Sequence, residues 1–241
     1  MSAQIQISQI SFREDDENFY SDISLNITGG ELVLVMGTYS SGGELLIKSI
    51  AGIIEPNSGE ILINGDNIFD AKSNEIVKMR KLTSYVFDNG GLISNLSIEQ
   101  NLLLPLNIHF PNLTDKEKEV RLNGYLIQFG LNDYRNKRPS ELNIELRKLI
   151  GYVRALITNP KIIMMNEPLA NLSAGTSEKF IDTIINLHGK GITQIINTYS
   201  TSSLLKMADR VVVMEHGHMN FIGNREDFYE THFADNTETG N

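Results

Sequence analysis

The segment from Met36 to Gly52, M-G-T-Y-S-S-G-G-E-L-L-I-K-S-I-A-G, constrains the fold more than any other stretch. It continues an apolar run, Glu31 to Met36, with the length and composition of a buried strand. The run stops at Gly37, and a helical pattern carrying Leu, Ile and Lys begins near Gly43. Strand, small-residue loop and helix make the frame of a phosphate-binding loop, whose pattern is G-x-x-x-x-G-K-[ST]. Gly37 and Gly42 stand at the required separation, with Thr38, Tyr39, Ser40 and Ser41 between them. The two residues that carry the chemistry are replaced, because Gly43 holds the lysine position and Glu44 the Ser/Thr position. The loop keeps the shape of a nucleotide site without its charge.

The flanking chain places this unit in an α/β fold. Ile5–Phe12 and Ile23–Ile27 alternate apolar and polar residues with the period of a strand, and acidic Glu14–Glu17 forms a turn between them. After the loop and its helix, Ile53–Gly59 is a turn cluster, and Glu60–Gly65 is a short strand closing on Asn-Gly. From Leu92 to Leu156 the pattern turns helical. Lys116–Gly130 places Val120, Leu122, Leu126, Ile127 and Phe129 on one face, and Leu142–Leu156 forms a second helix with Asn143 as its N-cap. Apolar strands return at Lys161–Met165, Thr193–Asn197 and Asp209–Met214, with helices at Thr176–Leu187 and Ser202–Ala208 between them. Such alternation predicts a mainly parallel sheet covered on both faces.

Composition removes several functions. A net charge of -9 argues against nucleic-acid binding, which needs a basic face. The absence of cysteine excludes disulfides and thiolate metal sites and fits a cytosolic chain. No apolar run is long enough to span a membrane, so membrane association has to go through a partner. His109, His188, His216, His218 and His232 have no metal-ligand spacing; all are expected at the surface, and no metal site is expected. Lys48 continues the helix after the loop and is expected to point away from the phosphates.

Several further stretches carry a family likeness. Ser84-Tyr-Val-Phe87, Pro139-Ser-Glu-Leu142, Arg154-Ala-Leu156, Ile162-Ile-Met-Met-Asn-Glu-Pro-Leu169 and Ala208-Asp-Arg-Val-Val-Val-Met214 occur in the order seen in ATP-binding cassette (ABC) ATPases. With the loop, the chain resembles that family from about Ile5 to Gly223. The resemblance implies a P-loop NTPase-like cassette. Its RecA-like core, with an antiparallel β subdomain, would span 1–91 and 157–230, with a helical signature subdomain at 92–156 and a flexible acidic tail at 231–241. The stretch Gly90–Leu106 is similar to the ATPases of Mla-like, MCE-associated lipid importers. That implies a lipid cargo, an integral-membrane permease, a second cassette subunit and an MCE-type lipid component. It also implies a peripheral place on the cytoplasmic face of the cell membrane, and a groove from Asp88 to Leu106 where the permease would dock.

The same alignment exposes departures. The family's Q-loop glutamine falls at Asp88, the Walker B aspartate at Asn166, the D-loop aspartate at Ser173 and the switch histidine at Tyr199. The signature L-S-G-G-Q becomes Leu142-Asn143-Ile144-Glu145-Leu146, so the glycines that admit a facing nucleotide are replaced by a bulky and an anionic residue. The adenine-stacking aromatic falls near Glu14, with Phe19 or Tyr20 as substitutes. Glu167 stands where the family has its general base, and reads equally as a capping carboxylate. Glu44 either starts a helix or partly takes the place of a phosphate. One unit-charge contact at ~4 Å and an effective dielectric of ~20 is worth roughly 4 kcal/mol, so exchanging a cation for an anion weakens triphosphate binding severely. The expectation is a pseudo-ATPase that braces or regulates a permease complex, holds no resident cofactor and binds ATP and Mg²⁺ only weakly. The alternatives are a divergent ATPase with slow Mg-ATP hydrolysis through Glu167, and a soluble regulator outside any transporter.

Overall fold

The structure, a computed structural model, describes residues 3–14, 17–70, 73–199 and 203–233. Strand β1 (Ile5–Glu14) pairs antiparallel with β2 (Glu17–Ile27) on one side and β4 (Ser58–Ile63) on the other. β4 turns back through Asn64 and Gly65, both at positive φ, into β5 (Asp66–Asn67). That is the hairpin an Asn-Gly pair favours. These strands form a sheet in the order β2-β1-β4-β5.

The second sheet runs β10-β9-β3-β8-β7-β6. β3 (Leu32–Gly37), β6 (Thr83–Val86), β7 (Ile162–Asn166), β8 (Thr193–Thr198) and β9 (Arg210–Glu215) are parallel neighbours, and β10 (His218–Asn224) adds antiparallel to β9. The helices are α1 (Gly43–Ile50), α2 (Ser73–Leu82), α3 (Ile98–His109), α4 (Asp115–Phe129), α5 (Ile144–Leu156), α6 (Ala174–Gly189) and α7 (Arg225–Phe233).

The parallel sheet is buried on both faces because its strands are apolar at successive positions. Leu32, Leu34, Ile163 and Met165 face one core with α3 to α6, whereas Val33, Val35, Ile162 and Met164 face a second core with α1 and the antiparallel sheet. The loop therefore emerges from a strand clamped on both sides. The α/β cassette architecture expected from the sequence is the one observed.

Four local expectations need correction. On α4 only Leu122, Leu126 and Phe129 are buried, while Val120 and Ile127 are 66% and 69% exposed. The Ser202–Ala208 segment is a 3-10 turn at Ser203–Met207 rather than an α-helix. His109 and His188 are half-buried, and His188 lies 3.6 Å from Asp209. Helix α7 runs through Phe233, so the first residues of the expected tail are helical, and 234–241 lie outside the described residues.

Candidate functional site

At the C-terminal end of β3 the chain turns through Thr38–Ser41 into α1, whose N-cap Gly42 sits at φ 97°. No side chain caps this helix, so its first-turn N–H groups face the loop, as an anion site requires. Ser41 is buried, and its Oγ has no hydrogen-bond partner; Gly217 N–H donates to its carbonyl at 3.2 Å. Tyr39 is 82% exposed and meets the Tyr199 ring edge-on at 5.9 Å.

Charge at the loop is negative. Glu44 does not fold back over the loop amides; its carboxylate runs along α1 to Lys48, 2.6 Å away. Lys48 thus pairs with Glu44 one turn along α1, as a residue that continues the helix. Burial, and then the Glu44 and Asp88 carboxylates, push the Tyr85 phenol far above its ordinary range. Burial, followed by Glu44, also raises the Tyr199 phenol above its ordinary value.

Beneath the loop the lysine position is closed by a residue that motif reading did not single out. Asn197, fully buried on β8, donates from Nδ2 to Asn166 Oδ1 at 2.8 Å. A Cβ placed on Gly43 would overlap Asn197 Oδ1 outright and stand 3.0 Å from Val35 Cγ1. Any side chain at 43 thus competes with Asn197 for the same volume. Asn166, in place of a carboxylate, is 3% exposed and satisfied by that amide. A neutral, hydrogen-bonded amide pair therefore lies beneath the first turn of α1. The one sequence signal was an asparagine directly after the apolar pair Ile195-Ile196 in the strand Thr193–Thr198.

Glu167 follows Asn166 at φ 45°, a conformation uncommon for a residue with a side chain. Its N–H donates to Asn197 O at 2.9 Å, and its carboxylate accepts from Tyr199 N–H. Burial raises its pKa, while the Tyr199 N–H, Thr198 and Lys148 act in the opposite sense. Lys148 is a second residue missed in sequence. It is 3% exposed on α5 and donates to the carbonyls of Glu167 at 2.9 Å and Ala170 at 2.6 Å. Burial lowers its pKa, and Asp88 and Glu167 oppose that shift. Its ammonium thus pins the loop after β7 to the helical region. Asp88 itself is exposed.

The signature-equivalent residues stand at the start of α5. Asn143 caps it, accepting from Leu146 N–H at 2.8 Å. Leu142 is buried, Ile144 is 41% exposed, and Glu145 accepts from Ser173 N–H at 3.2 Å, capping α6 in the same chain. The candidate stacking side chains at 14, 19 and 20 lie outside the described side chains. Among the described residues no His, Asp and Glu group is arranged to hold a metal ion, and no helix is long and apolar enough to cross a membrane.

A family model described as ABC transporter matches residues 20–170. Among curated proteins the chain is 27% identical to the spermidine/putrescine import ATP-binding protein PotA of Thermotoga maritima, over 96% of this chain and 61% of that protein. It is 32% identical to the sulfate/thiosulfate import ATP-binding protein CysA of Synechocystis sp., over 94% of this chain and 62% of the other. It thus spans about three fifths of the length of these relatives. It is also 30% identical to the phosphonates import ATP-binding protein PhnC of Lactobacillus acidophilus, over 96% of this chain and 93% of that one. A solved dimeric ATP-binding cassette bound to ADP and Pi superposes with a TM-score of 0.84 at 24% identity, covering 92% of this chain and 98% of that one.

Proposed function

Because the chain belongs to the ABC transporter family of ATP-binding cassettes, we propose that it is a pseudo-ATPase cassette, assembled with a permease but without hydrolysis of its own. The observation that carries this reading is the occupied volume at Gly43. Asn197 stands where the lysine stem would leave the backbone, and Asn166 is its amide partner rather than a charge held for a metal. Glu44, bound to Lys48, supplies no hydroxyl for Mg²⁺. The residues at these positions do not fit a Mg-triphosphate: loop amides remain, but the cation and the metal ligands do not.

The partners are a membrane permease and a second cassette. The two residue blocks 1–91 with 157–230 and 92–156 serve as nucleotide-fold core and helical docking unit. Phe87 and Ile93, each at least one third exposed beside Asp88, give the permease an apolar foothold. The protein would lie on the cytoplasmic face of the membrane. Import is the shared theme of the relatives' names, and they name polyamines, sulfate and phosphonates as solutes. A lipid cargo with an MCE-type component rests on the Gly90–Leu106 likeness alone.

Calorimetry of the purified chain with Mg-ATP up to millimolar nucleotide tests the pseudo-site. No heat and no thermal stabilisation are expected. Micromolar binding, or phosphate release that Glu167→Gln removes, overturns it in favour of a slow ATPase. An Ile93→Glu variant is expected to lose co-purification with permease-containing membranes; unchanged recruitment would instead place the chain outside a transporter.

A further inference from the structure

A cavity of about 140 Å³ opens between β6, the C-terminal turn of α2, and helices α3 and α5. Arg80, His109 and Arg154 line it, together with Thr83, Ser84 and Thr158. Three cationic or ionisable nitrogen bases meeting in one hollow is unexpected in a chain of net charge -9.

Their surroundings make the point sharper. Arg154 uses two N–H groups on protein acceptors, Gly90 O at 3.2 Å and Asn101 Oδ1 at 3.5 Å. A guanidinium carries five N–H donors and keeps its charge at any physiological pH. Among the described residues no carboxylate lies close enough to Arg154 to shift it; burial alone does, and it acts against the charge. A half-buried cation without an anionic partner is costly, and proteins normally pair such groups. Opposite it, His109 Nδ1 is buried without a hydrogen-bond partner. Burial, then Arg80 and Lys81 of α2, hold the His109 imidazole below its usual range, with no acid opposing them. Lys81 itself is turned over the Phe110 ring at 5.7 Å. The hydroxyls of Ser84 and Thr83 are already spent on backbone carbonyls, at 2.9 Å and 3.1 Å. The charged or ionisable donors left over are therefore the two guanidinium groups and the imidazole, beside an unpartnered Tyr85 hydroxyl.

We infer that this cavity is a binding site for an oxyanion, a phosphate, sulfate or carboxylate group held by Arg80, Arg154 and His109. The anion supplies the countercharge Arg154 lacks, and its oxygens take the unused N–H donors in charge-assisted bonds. Its negative charge also favours the protonated form of His109, which takes its proton from solvent and then donates from both ring nitrogens. The hollow is large enough to admit a tetrahedral oxyanion beside the three bases. This site is separate from the phosphate loop and does not depend on whether that loop binds nucleotide.

The test is an NMR pH titration of the full chain in sodium sulfate, against sodium chloride at matched ionic strength. The other histidines serve as internal references for general salt effects. Sulfate is expected to raise the His109 pKa by about one unit or more, as a neighbouring opposite charge does. The exposed Arg80→Gln variant is expected to weaken sulfate binding roughly tenfold, the share of one charged hydrogen bond. Arg154 is left untouched because it also anchors Gly90. Repeating the titration with phosphate and with acetate separates the sources. A preference for phosphate or sulfate assigns a soluble or phosphoryl anion, and a preference for acetate assigns a carboxylate presented by a partner. Identical His109 titrations in sulfate and chloride, or a sulfate response unchanged by Arg80→Gln, overturn the inference.

Discussion

The start of α1 and the start of α5 are the two places where, on the proposed reading, the residues by which an ATP-binding cassette grips nucleotide are replaced, and the replacements are accommodated differently. At α1 the replacements interlock in the interior: Gly43, Asn166 and Asn197 share one buried volume and one hydrogen bond. At α5 they stay near the surface. Asn143 still caps the helix, Ile144 faces solvent, and Glu145 finds a partner in Ser173. Interlocked residues cannot be changed back one at a time, whereas surface residues can. The phosphate loop is therefore the harder of the two to restore, although its backbone frame is the better preserved.

The largest expected effect tests the interlock. Gly43→Ala forces a methyl into Asn197 and is expected to cost about 2 kcal/mol, the usual size of an overpacking penalty. Asn197→Ala removes the obstacle but leaves buried Asn166 without its donor, at a cost of roughly 1–3 kcal/mol. If the two side chains compete for one space, the double variant is more stable than the sum of the single effects by about 1 kcal/mol or more in urea denaturation. Additive costs would dissolve the contrast with α5. The same cycle predicts that Gly43→Lys restores nothing unless residue 197 is reduced as well.

Asn143→Ala comes next. Loss of an N-cap side chain typically costs about 1 kcal/mol, and nothing else at this surface position is disturbed. Combined with Gly43→Ala the costs should add, because the two sites share no hydrogen bond.

Much of this was legible in the sequence, for physical reasons that also mark the limits. The strand-loop-helix frame and the Asn64-Gly65 hairpin follow from local chemistry, from an apolar run ending in glycine and from two residues that tolerate positive φ. The N-cap role of Asn143 needed only its neighbours. The face of α4 was misassigned because apolar residues stand on both sides of that helix, and only packing chooses Leu122, Leu126 and Phe129 over Val120 and Ile127. Asn197 and Lys148 were invisible because their roles are long-range: each is defined by a backbone or side chain that another element brings against it. The replacement at position 43 was plain from spacing, and what replaced it sterically was not.

Glu167→Gln has a smaller effect and a pH signature. Burial raises the folded-state pKa of Glu167 above the ordinary 4.5. A carboxyl whose pKa is higher in the folded state stabilises the protein when protonated, and that contribution is lost as pH rises from the unfolded value through the folded one. The Gln variant still accepts from Tyr199 N–H and escapes this loss. It is expected to equal the parent near pH 4 and to be more stable at pH 7, by under about 1 kcal/mol because the group is half exposed. A variant less stable than the parent at pH 7 would mean that the carboxylate itself is needed in this loop.

Glu145→Ala should give the smallest change, and it bears most directly on how the two regions differ. Its carboxylate is held below the usual range by the Ser173 hydroxyl and then by Thr176. A depressed carboxylate contributes stability above its unfolded pKa and loses it as pH falls through the folded one. The parent is thus expected to melt slightly above the variant at pH 7 and together with it near pH 3, with the gap narrowing in high salt. If instead the two melt alike at every pH, Glu145 is free in solution and available to a facing subunit. Glu145 sealed to Ser173 of its own chain leaves the α5 surface without the open glycines that would admit a partner's nucleotide. The signature side is then occupied by a contact that can be undone with one substitution, and the phosphate side is occupied by one that cannot.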